Sequence, residues 1–408
     1  MPGPLSGVRV LELARILAGP WAGQTLADLG AEVIKVEPPS GDYIREMTWP
    51  IVEGTSLMHL HISRGKRSIT IDLRTDEGRE VFLELVKGAD AVIEAMRPGG
   101  LDKRGVGFEA CRAVNPSIVF CTISGYGMTG PYQTLPSHGI AYDVWAGLVA
   151  PETTADGYCA IPEHPSVGIH AGPLFGALGL LAGITRARAT GEPCRLDIAQ
   201  SDAAAAMDWL RSETWKAYER PESEVTGNKA DGYERRAPGT AGMRDGVRYQ
   251  FYETSDGHIL FMASEQALWK NFCEGVGRAD LFEQHPGSKY ADHARGNTEL
   301  RAELAAIFRT RTTAEWVRFG DEANTPIAPV NTPKTLADDP QFQARMPWIP
   351  RERVGTEQLP NPIKVIGEEL PLPTKAPDVG QHTDAILREV LGYDDERIAR
   401  LRAAGAFG

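Results

Sequence analysis

The first half of the chain alternates short apolar runs with helix-like segments, and this alternation constrains the fold more than any other feature. The runs that are typical of buried strands are residues 8–13, 31–37, 68–73, 91–94 and 118–123. The segments with a helical pattern are residues 19–29, 76–87 and 108–114. Strands separated by helices form crossover units, so the sequence predicts an α/β fold with a mostly parallel sheet.

The pattern changes in the second half. Residues 171–188 are apolar and rich in glycine, as in a buried helix that packs closely against its neighbours. Residues 219–246 are polar, charged and poorly periodic, which is typical of a linker or a mobile loop. Beyond them, residues 249–252 and 258–263 flank a Ser-Asp-Gly turn and predict a β-hairpin.

These patterns divide the chain into three parts. We predict a large Rossmann-like α/β domain over residues 1–224 and a smaller α+β domain over residues 225–335. Residues 336–408 contain a proline-rich stretch and then helical segments. We expect them to form an extended return and C-terminal helices that rejoin the large domain.

Charge and composition exclude several classes of protein. The 408 residues carry a net charge of −12, which argues against a nucleic-acid partner because phosphate binding needs a basic face. No apolar run approaches the roughly 20 residues of a membrane helix, and the start of the chain does not read as a secretory signal. The 5 cysteines include no CxxC pair, so we expect reduced thiols in a cytoplasmic protein and no metal site. Because no apolar run is as long as a membrane helix, we also expect no membrane partner.

A series of short motifs runs through almost the whole chain. They are LSGVRVLEL at 5–13 with AGP at 18–20, LGAEVIKVEPPSGD at 29–42, KRSI at 66–69 with DL at 72–73, RPGGL at 97–101 with Gly105, SGYG at 124–127, TGEP at 190–193 and GQHT at 380–383. In this order they resemble the class III CoA-transferases, the family of formyl-CoA transferase and of carnitine and bile-acid CoA-transferase. The 2-methylacyl-CoA racemases are related to this family.

The resemblance implies an enzyme that moves coenzyme A from an acyl-CoA thioester to a carboxylic acid. In the family an aspartate attacks the donor thioester to give a mixed anhydride. The released CoA thiolate then converts that anhydride into an enzyme–CoA thioester, which the acceptor acid resolves. A carboxylate suits these steps because it is both a nucleophile and a leaving group. Family members are interlocked dimers, so the resemblance also implies a homodimer or a heterodimer with a homologous chain.

The chain departs from the family at the nucleophile itself. In the segment PSVGIHAG, the residue after Gly168 is Ile169, where relatives carry the aspartate. No aspartate occurs between Asp156 and Asp197, so a shifted alignment does not recover one. The nearest substitutes are Glu163, His164 and the adjacent His170. An imidazole can act as an acyl acceptor or a base, and the alternative for His170 is a packing or capping role at a helix start.

The resemblance also indicates residues for binding CoA. Lys66, Arg67, Arg97 and Lys103 flank predicted strands, and we expect them in loops near the carboxyl edge of the sheet, where a diphosphate needs cations. Ile16, Leu17 and Met96 match positions along the family's adenine and pantetheine path. The alternatives are solvated surface for the four cations and core for the three apolar residues.

Four further interpretations stay open at this point. His138 matches the histidine base of the related racemases, without the acid that follows it, so an acyl-CoA racemase or isomerase is one alternative. A non-nucleophilic subunit of a heteromeric CoA-transferase is another. Residues 239–242 (Gly-Thr-Ala-Gly) resemble in position a mobile active-site loop of the family, or form a plain loop. The tryptophans that could line an apolar acyl pocket, or belong to the core, are Trp145, Trp209, Trp215 and Trp269.

Overall fold

A computed structural model describes residues 3–229, 232–235, 243–289 and 291–408. The chain divides into two compact units. The first comprises Met1–Asp208 and Met346–Gly408, and the second comprises Trp209–Arg345.

The first unit contains these strands: β1 Arg9–Glu12, β2 Glu32–Glu37, β3 Ile51–Val52, β4 Thr55–Ser56, β5 Arg67–Thr70, β6 Ala91–Glu94, β7 Val119–Ser124, β8 Glu152–Thr153, β9 Cys159–Ala160 and β10 Cys194–Ala199. Its helices before residue 209 are α1 Ala18–Ala27, α2 Ile44–Met47, α3 Leu57–Ile62, α4 Asp76–Lys87, α5 Phe108–Val114, α6 Ala141–Trp145, α7 Gly168–Thr190 and α8 Gln200–Met207, with a 3-10 turn at Asp102–Arg104.

The second unit contains α9 Trp209–Tyr218, β11 Tyr249–Glu253, β12 His258–Met262, α10 Gln266–Gly275, α11 Ala279–Gln284, α12 Thr298–Phe308, α13 Thr313–Glu322, β13 Ile327–Pro329, α14 Pro333–Leu336 and α15 Pro340–Arg345. The last helices belong to the first unit again: α16 Arg351–Val354, α17 Thr383–Glu389 and α18 Asp395–Ala403.

The first unit is built on a six-stranded sheet in the order β10-β7-β6-β1-β2-β5. Every neighbouring pair in it is parallel, so the predicted α/β fold with a parallel sheet is confirmed. Successive strand residues point to opposite faces, and each face carries its own apolar cluster. Leu11 belongs to the cluster on the side of α4, α5, α17 and α18, whereas Val10 belongs to the cluster on the side of α1 and α7.

The edge strand β10 is absent from the sequence-based prediction. Its residues Arg195 and Asp197 are exposed and alternate with half-buried neighbours. The side chains of β10 that face solvent are polar, so this strand lacks the continuous apolar run by which β1, β2, β5, β6 and β7 were predicted.

The chain after residue 378 closes the other edge of the sheet. His382 donates its backbone N–H to the carbonyl of Ser68 (2.9 Å), and Thr70 donates its N–H to the hydroxyl of Thr383 (3.2 Å). Four apolar side chains of α17 and α18 join the core on this face of the sheet: Ile386, Leu387, Ile398 and Leu401.

Helix α7 corrects one statement made from the sequence. It is long and apolar enough, by length and composition, to cross a membrane, so an apolar segment of that size does exist. Half of its most apolar window is buried inside the protein, where it packs on β7 and on α1. Such packing is typical of the core helix of a globular protein.

The second unit has an antiparallel sheet, ordered β11-β12-β13, with helices packed against it. Its core is strongly aromatic, and Trp269 lies in it fully buried, with Nε1 donating to the carbonyl of His285 (2.8 Å). Trp269 is therefore core, and does not line an open acyl pocket.

Candidate functional site

A cavity of about 400 Å³ lies at the carboxyl ends of four adjacent strands, β6, β1, β2 and β5. Its walls come from the loops that follow these strands and include Leu13, Val36, Leu73 and Met96. In open parallel sheets, ligands bind at this edge because the loops there converge on one crevice. The position and size of the cavity fit a small-molecule ligand.

Three arginines line the cavity, Arg15, Arg74 and Arg104. Arg74 is bound to Asp72 through Nε–Oδ1 (2.8 Å) and Nη2–Oδ2 (2.7 Å). The hydrogen bonds from Arg74 lower the pKa of Asp72 to about 2. Arg15 and Arg104 are exposed and form no ion pair within the described part of the chain. Their guanidinium groups can therefore take an anionic ligand.

The second acidic residue of the cavity wall, Glu37, is neutralised from inside the protein. Arg45 donates from Nη2 to both of its carboxylate oxygens (3.0 and 2.9 Å). Ser68 donates from its hydroxyl to Oε2 (2.5 Å), and the backbone N–H of Asp42 donates to Oε1 (3.1 Å). The cavity thus presents its arginines to a ligand without an opposing free carboxylate from Glu37 or Asp72.

The turn between β1 and α1 is held in a strained conformation beside the cavity. Ile16 has a φ of 68°, a left-handed value that β-branched residues rarely adopt. Its backbone N–H donates to the carboxylate of Asp42 at 3.2 and 3.3 Å. Strain of this kind persists where the surroundings fix it, and such places cluster at functional sites. Ile16 and Leu17, both half-buried, thus directly follow Arg15 of the cavity wall.

A buried ionic network underlies this turn. The ammonium of Lys35 binds Glu12 (3.3 Å) and Asp42 (3.0 Å), and the ammonium of Lys66 binds Glu12 (2.6 Å) and the carbonyl of Pro20 (2.6 Å). Burial lowers the pKa of Lys66 to about 8, and Glu12 opposes that effect. The ammonium of Lys66 is enclosed by these partners.

The expectation that Lys66 and Arg67 lie at the carboxyl edge is wrong. Strand β5 begins at Arg67, so both residues lie at the amino end of that parallel strand. Arg67 is held there by Glu32 (3.0 Å) and by Glu389 (2.6 Å). The predicted strand 68–73 already followed these two residues, and residues that precede a parallel strand lie at the amino end of the sheet, away from its carboxyl edge.

The predicted residues after β6 lie close to the cavity in sequence. Met96 lines it, and Arg97 and Lys103 are exposed in the loop and the 3-10 turn that lead to Arg104. Sequence analysis missed Arg15, Arg74 and Arg104. Arg15 lies two residues after the predicted strand 8–13 and Arg74 one residue after the predicted strand 68–73, so a search restricted to cations after strand ends could have found them.

The start of α7 is organised by a buried carboxylate. Asp143, on α6, is fully buried and accepts hydrogen bonds from the backbone N–H of Gly168 (2.6 Å) and Val167 (3.1 Å). Nε2 of His164 lies 3.5 Å from the same carboxylate. A carboxylate at a helix N-terminus satisfies N–H groups that have no partner within the helix.

Ile169 and His170 are the next residues of α7. Ile169 is half-buried and apolar. His170 is exposed, its ring meets the edge of Trp21 at 4.8 Å, and its Nδ1 contacts the carbonyl of Ser166. His138 is exposed in the loop before α6, and its side chain forms no hydrogen bond or ion pair with the described residues. Residues 239–242 lie outside the described residues.

A parallel α/β sheet with an arginine-lined cavity at its carboxyl edge is suited to holding an anionic small molecule. The model of CoA-transferase family III matches residues 5–383, and the chain belongs to this family of enzymes. The resemblance stated from the motifs is thereby confirmed.

Named relatives and solved structures agree with this assignment. The chain is 31% identical to a succinyl-CoA–D-citramalate CoA-transferase of Chloroflexus aurantiacus, over 98% of each chain. It is 27% identical to a succinyl-CoA–L-malate CoA-transferase beta subunit of the same organism, over 98% of this chain and 97% of the other. The crystal structure of a CAIB/BAIF family protein from Brucella suis superposes with a TM-score of 0.75 at 30% identity, covering 96% of this chain and 100% of that one.

Proposed function

We propose that this chain takes part in the transfer of coenzyme A between an acyl-CoA thioester and a carboxylic acid, and that it binds the nucleotide part of CoA in the cavity at the carboxyl edge of the sheet. One observation carries the proposal. Arg15, Arg74 and Arg104 converge on a cavity whose own carboxylates are already bound by protein groups.

The chemistry of the ligand fits these walls. CoA carries a diphosphate and a 3′-phosphate, which guanidinium groups bind through paired hydrogen bonds. Leu13, Val36 and Met96 offer an apolar surface for the adenine ring. Arg97 and Lys103 stand in the same loop as Arg104, where they add positive charge at the rim. For Lys66 and Arg67 we propose structural roles, because both side chains already form ion pairs with carboxylates of the protein.

A calorimetric titration with CoA tests this proposal. Arg104→Ala, in the cavity wall, should weaken CoA binding by about 10-fold or more, the effect of losing one charge-assisted phosphate contact. Arg186→Ala removes an exposed arginine at the far end of α7 and should leave the affinity unchanged. Wild-type protein that does not bind CoA, or an Arg104→Ala variant that binds it normally, would refute this placement.

We further propose that the chain works beside a second, homologous chain that supplies the nucleophilic carboxylate. Ile169, the second residue of α7, stands where the resemblance calls for the aspartate, and the nearby carboxylate of Asp143 is buried and bound to backbone N–H groups. A relative named as a beta subunit is in line with a multi-chain enzyme. Helix α7 also exposes Leu174, Phe175 and Leu178, an apolar face suited to packing against another chain.

Intact-mass spectrometry distinguishes a nucleophile supplied by a second chain from a substitute nucleophile on this chain. The purified chain is incubated with acyl-CoA thioesters, with and without hydroxylamine, which cleaves activated acyl adducts. We expect CoA binding without a covalent adduct for the wild type. An Ile169→Asp variant should gain a hydroxylamine-sensitive adduct, and an Ile169→Asn variant should not. A wild-type adduct, mapped by digestion to Glu163, His164 or His170, would refute the need for a second chain and name the substitute nucleophile.

A further inference from the structure

Four aromatic side chains form a cluster beside the start of α7. Tyr126 meets Tyr132, Tyr142 and Trp145 edge-on, with ring centroids 5.7, 6.0 and 6.4 Å apart. We name these four residues the aromatic cluster. Edge-to-face contacts hold such rings in fixed orientations, so the aromatic cluster is a preformed surface.

The aromatic cluster is packed against the start of α7, close to Ile169. A Cβ on Gly168 would lie 2.7 Å from the Cβ of Tyr142, so α6 and the start of α7 are in close contact. The hydroxyl of Tyr142 lies 3.3 Å from that of Ser137. Tyr126 lies two residues after the end of β7, which places it at the carboxyl edge of the sheet.

The aromatic cluster leaves ring surface open for a ligand. Tyr132 is 49% exposed and Trp145 is 47% exposed. Single exposed rings are common on protein surfaces, but these two belong to one contiguous group of rings, and such a group offers an aromatic or apolar ligand several contacts at once. The half-buried side chain of Ile169, at the start of α7, adds a further apolar group where relatives have a charge.

The charges of this region point the same way. The chain has no lysine or arginine between Arg112 and Arg186, the stretch that supplies β7, α6 and most of α7. The same stretch carries Asp143, Glu152, Asp156 and Glu163. A second carboxylate on an acyl group would therefore find no permanent cation from this stretch to bind it, and the net charge of the stretch is negative, which disfavours its binding.

On the basis of the proposed function, the geometry points to an uncharged, aromatic acyl group as the substrate class that this chain seats on the aromatic cluster. The acyl group stacks on Tyr132 and Trp145, and its thioester end is directed to the start of α7. Relatives of the chain are named for the dicarboxylic acids citramalate and malate. This chain differs from them in the acyl group that it accepts.

The test compares ligands that cannot react. CoA and the thioether analogues of phenylacetyl-CoA and succinyl-CoA are titrated calorimetrically into the full chain. The phenylacetyl analogue should bind about 10-fold more tightly than the succinyl analogue, a difference typical of one or two aromatic contacts.

Variants assign the preference to the aromatic cluster. Trp145→Ala should remove most of the phenylacetyl preference and leave CoA binding unchanged, whereas Trp348→Ala, at a similarly exposed tryptophan elsewhere, should change neither. Tyr132→Arg introduces a cation at the rim and should raise the affinity for the succinyl analogue severalfold. It tests the charge argument even if Trp145→Ala fails to fold.

The outcomes separate this inference from the function on which it rests. No binding of CoA refutes the proposed function. Normal CoA binding with equal or tighter binding of the succinyl analogue overturns the aromatic substrate class alone. A Trp145→Ala variant that keeps the preference but changes its oligomeric state also overturns it, because the cluster is then an interface between chains.

Discussion

The carboxylate of Asp143 fixes the start of α7 from outside the helix. Replacing it by alanine leaves the backbone N–H groups of Val167 and Gly168 buried without an acceptor. Asp143→Ala should therefore lower the free energy of unfolding by about 2–4 kcal/mol, and Asp143→Asn, which keeps one acceptor oxygen, by less. Urea titrations measure both, with the exposed Glu163→Ala as the control. Equal stability of the alanine variant and the wild type would contradict the capping role.

Glu94 makes the stability of the fold depend on pH. It is 4% exposed, its Oε1 accepts from the hydroxyl of Thr122 (2.8 Å), and its Oε2 has no partner among the described residues. Burial raises the pKa of this carboxyl from 4.5 to about 7. The folded state thus binds more protons than the unfolded state between these values, so the stabilising effect of the protonated form is lost as pH rises through about 7.

The Glu94→Gln variant stays neutral at every pH. Relative to wild type, it should be more stable at pH 8 by an amount on the order of 3 kcal/mol, and nearly equal at pH 4 to 5. Thermal and urea unfolding from pH 5 to 8 measure the difference. A difference that does not depend on pH would show that Glu94 is ionised throughout this range.

Single residues also show where sequence reasoning succeeds and fails. The departure at Ile169 and the position of Met96 in the loop after β6, beside the cavity, could be predicted from the order of motifs. The position of Arg104 in the cavity wall could not be predicted, because it depends on a 3-10 turn that leaves no periodic pattern in the sequence. The enclosure of Lys66 depends on Glu12, 54 residues away in the chain, and only the folded sheet brings the two together.

At the scale of elements, α7 lies unusually close to β7, and its glycines permit this. A Cβ on Gly183 would lie 2.7 Å from Cγ1 of Val119, a stiff side chain inside the sheet, whereas a Cβ on Gly179 meets its nearest atom at an ordinary 3.5 Å. The two glycines share one helix and differ in the space around them, which makes them a matched pair.

Gly183→Ala should lower the free energy of unfolding by about 1–3 kcal/mol, because the added methyl overpacks the core. Gly179→Ala should be neutral or stabilising by up to about 1 kcal/mol, since alanine favours the helix. Chemical denaturation measures both. If the two variants lose stability equally, the close packing of α7 on β7 is not what the glycines provide.

Elements differ in how much of them the sequence specifies. The inner strands β1, β2, β6 and β7 follow from their apolar runs because both faces of a parallel sheet are buried. Strand β10 was not predicted, because Arg195 and Asp197 interrupt its apolar pattern at the edge of the sheet. The aromatic cluster was equally hidden, since Tyr126 and Trp145 belong to different loops and helices and meet only through the turn before α6.

At the scale of the whole molecule, the proposed second chain makes a direct prediction about size. Leu178, on α7, is 62% exposed. If α7 packs against another chain, Leu178→Lys should weaken the assembly by about 1–3 kcal/mol or more, through the buried charge it creates. Light scattering coupled to size exclusion should then show a shift toward the 44.4 kDa monomer at low concentration. Leu372→Lys, at a 50% exposed leucine outside α7, is the control. A wild type that is already monomeric would contradict the assembly.

The closure of β5 by the chain that follows residue 378 has a consequence for synthesis. The ribosome makes β5 before the segment that covers its edge, with the second unit in between. Until the covering segment emerges, the nascent chain carries an uncovered strand edge and a core face that lacks α17 and α18. Such an edge invites pairing with other chains. Translation that stops before residue 378 would therefore produce an aggregating protein.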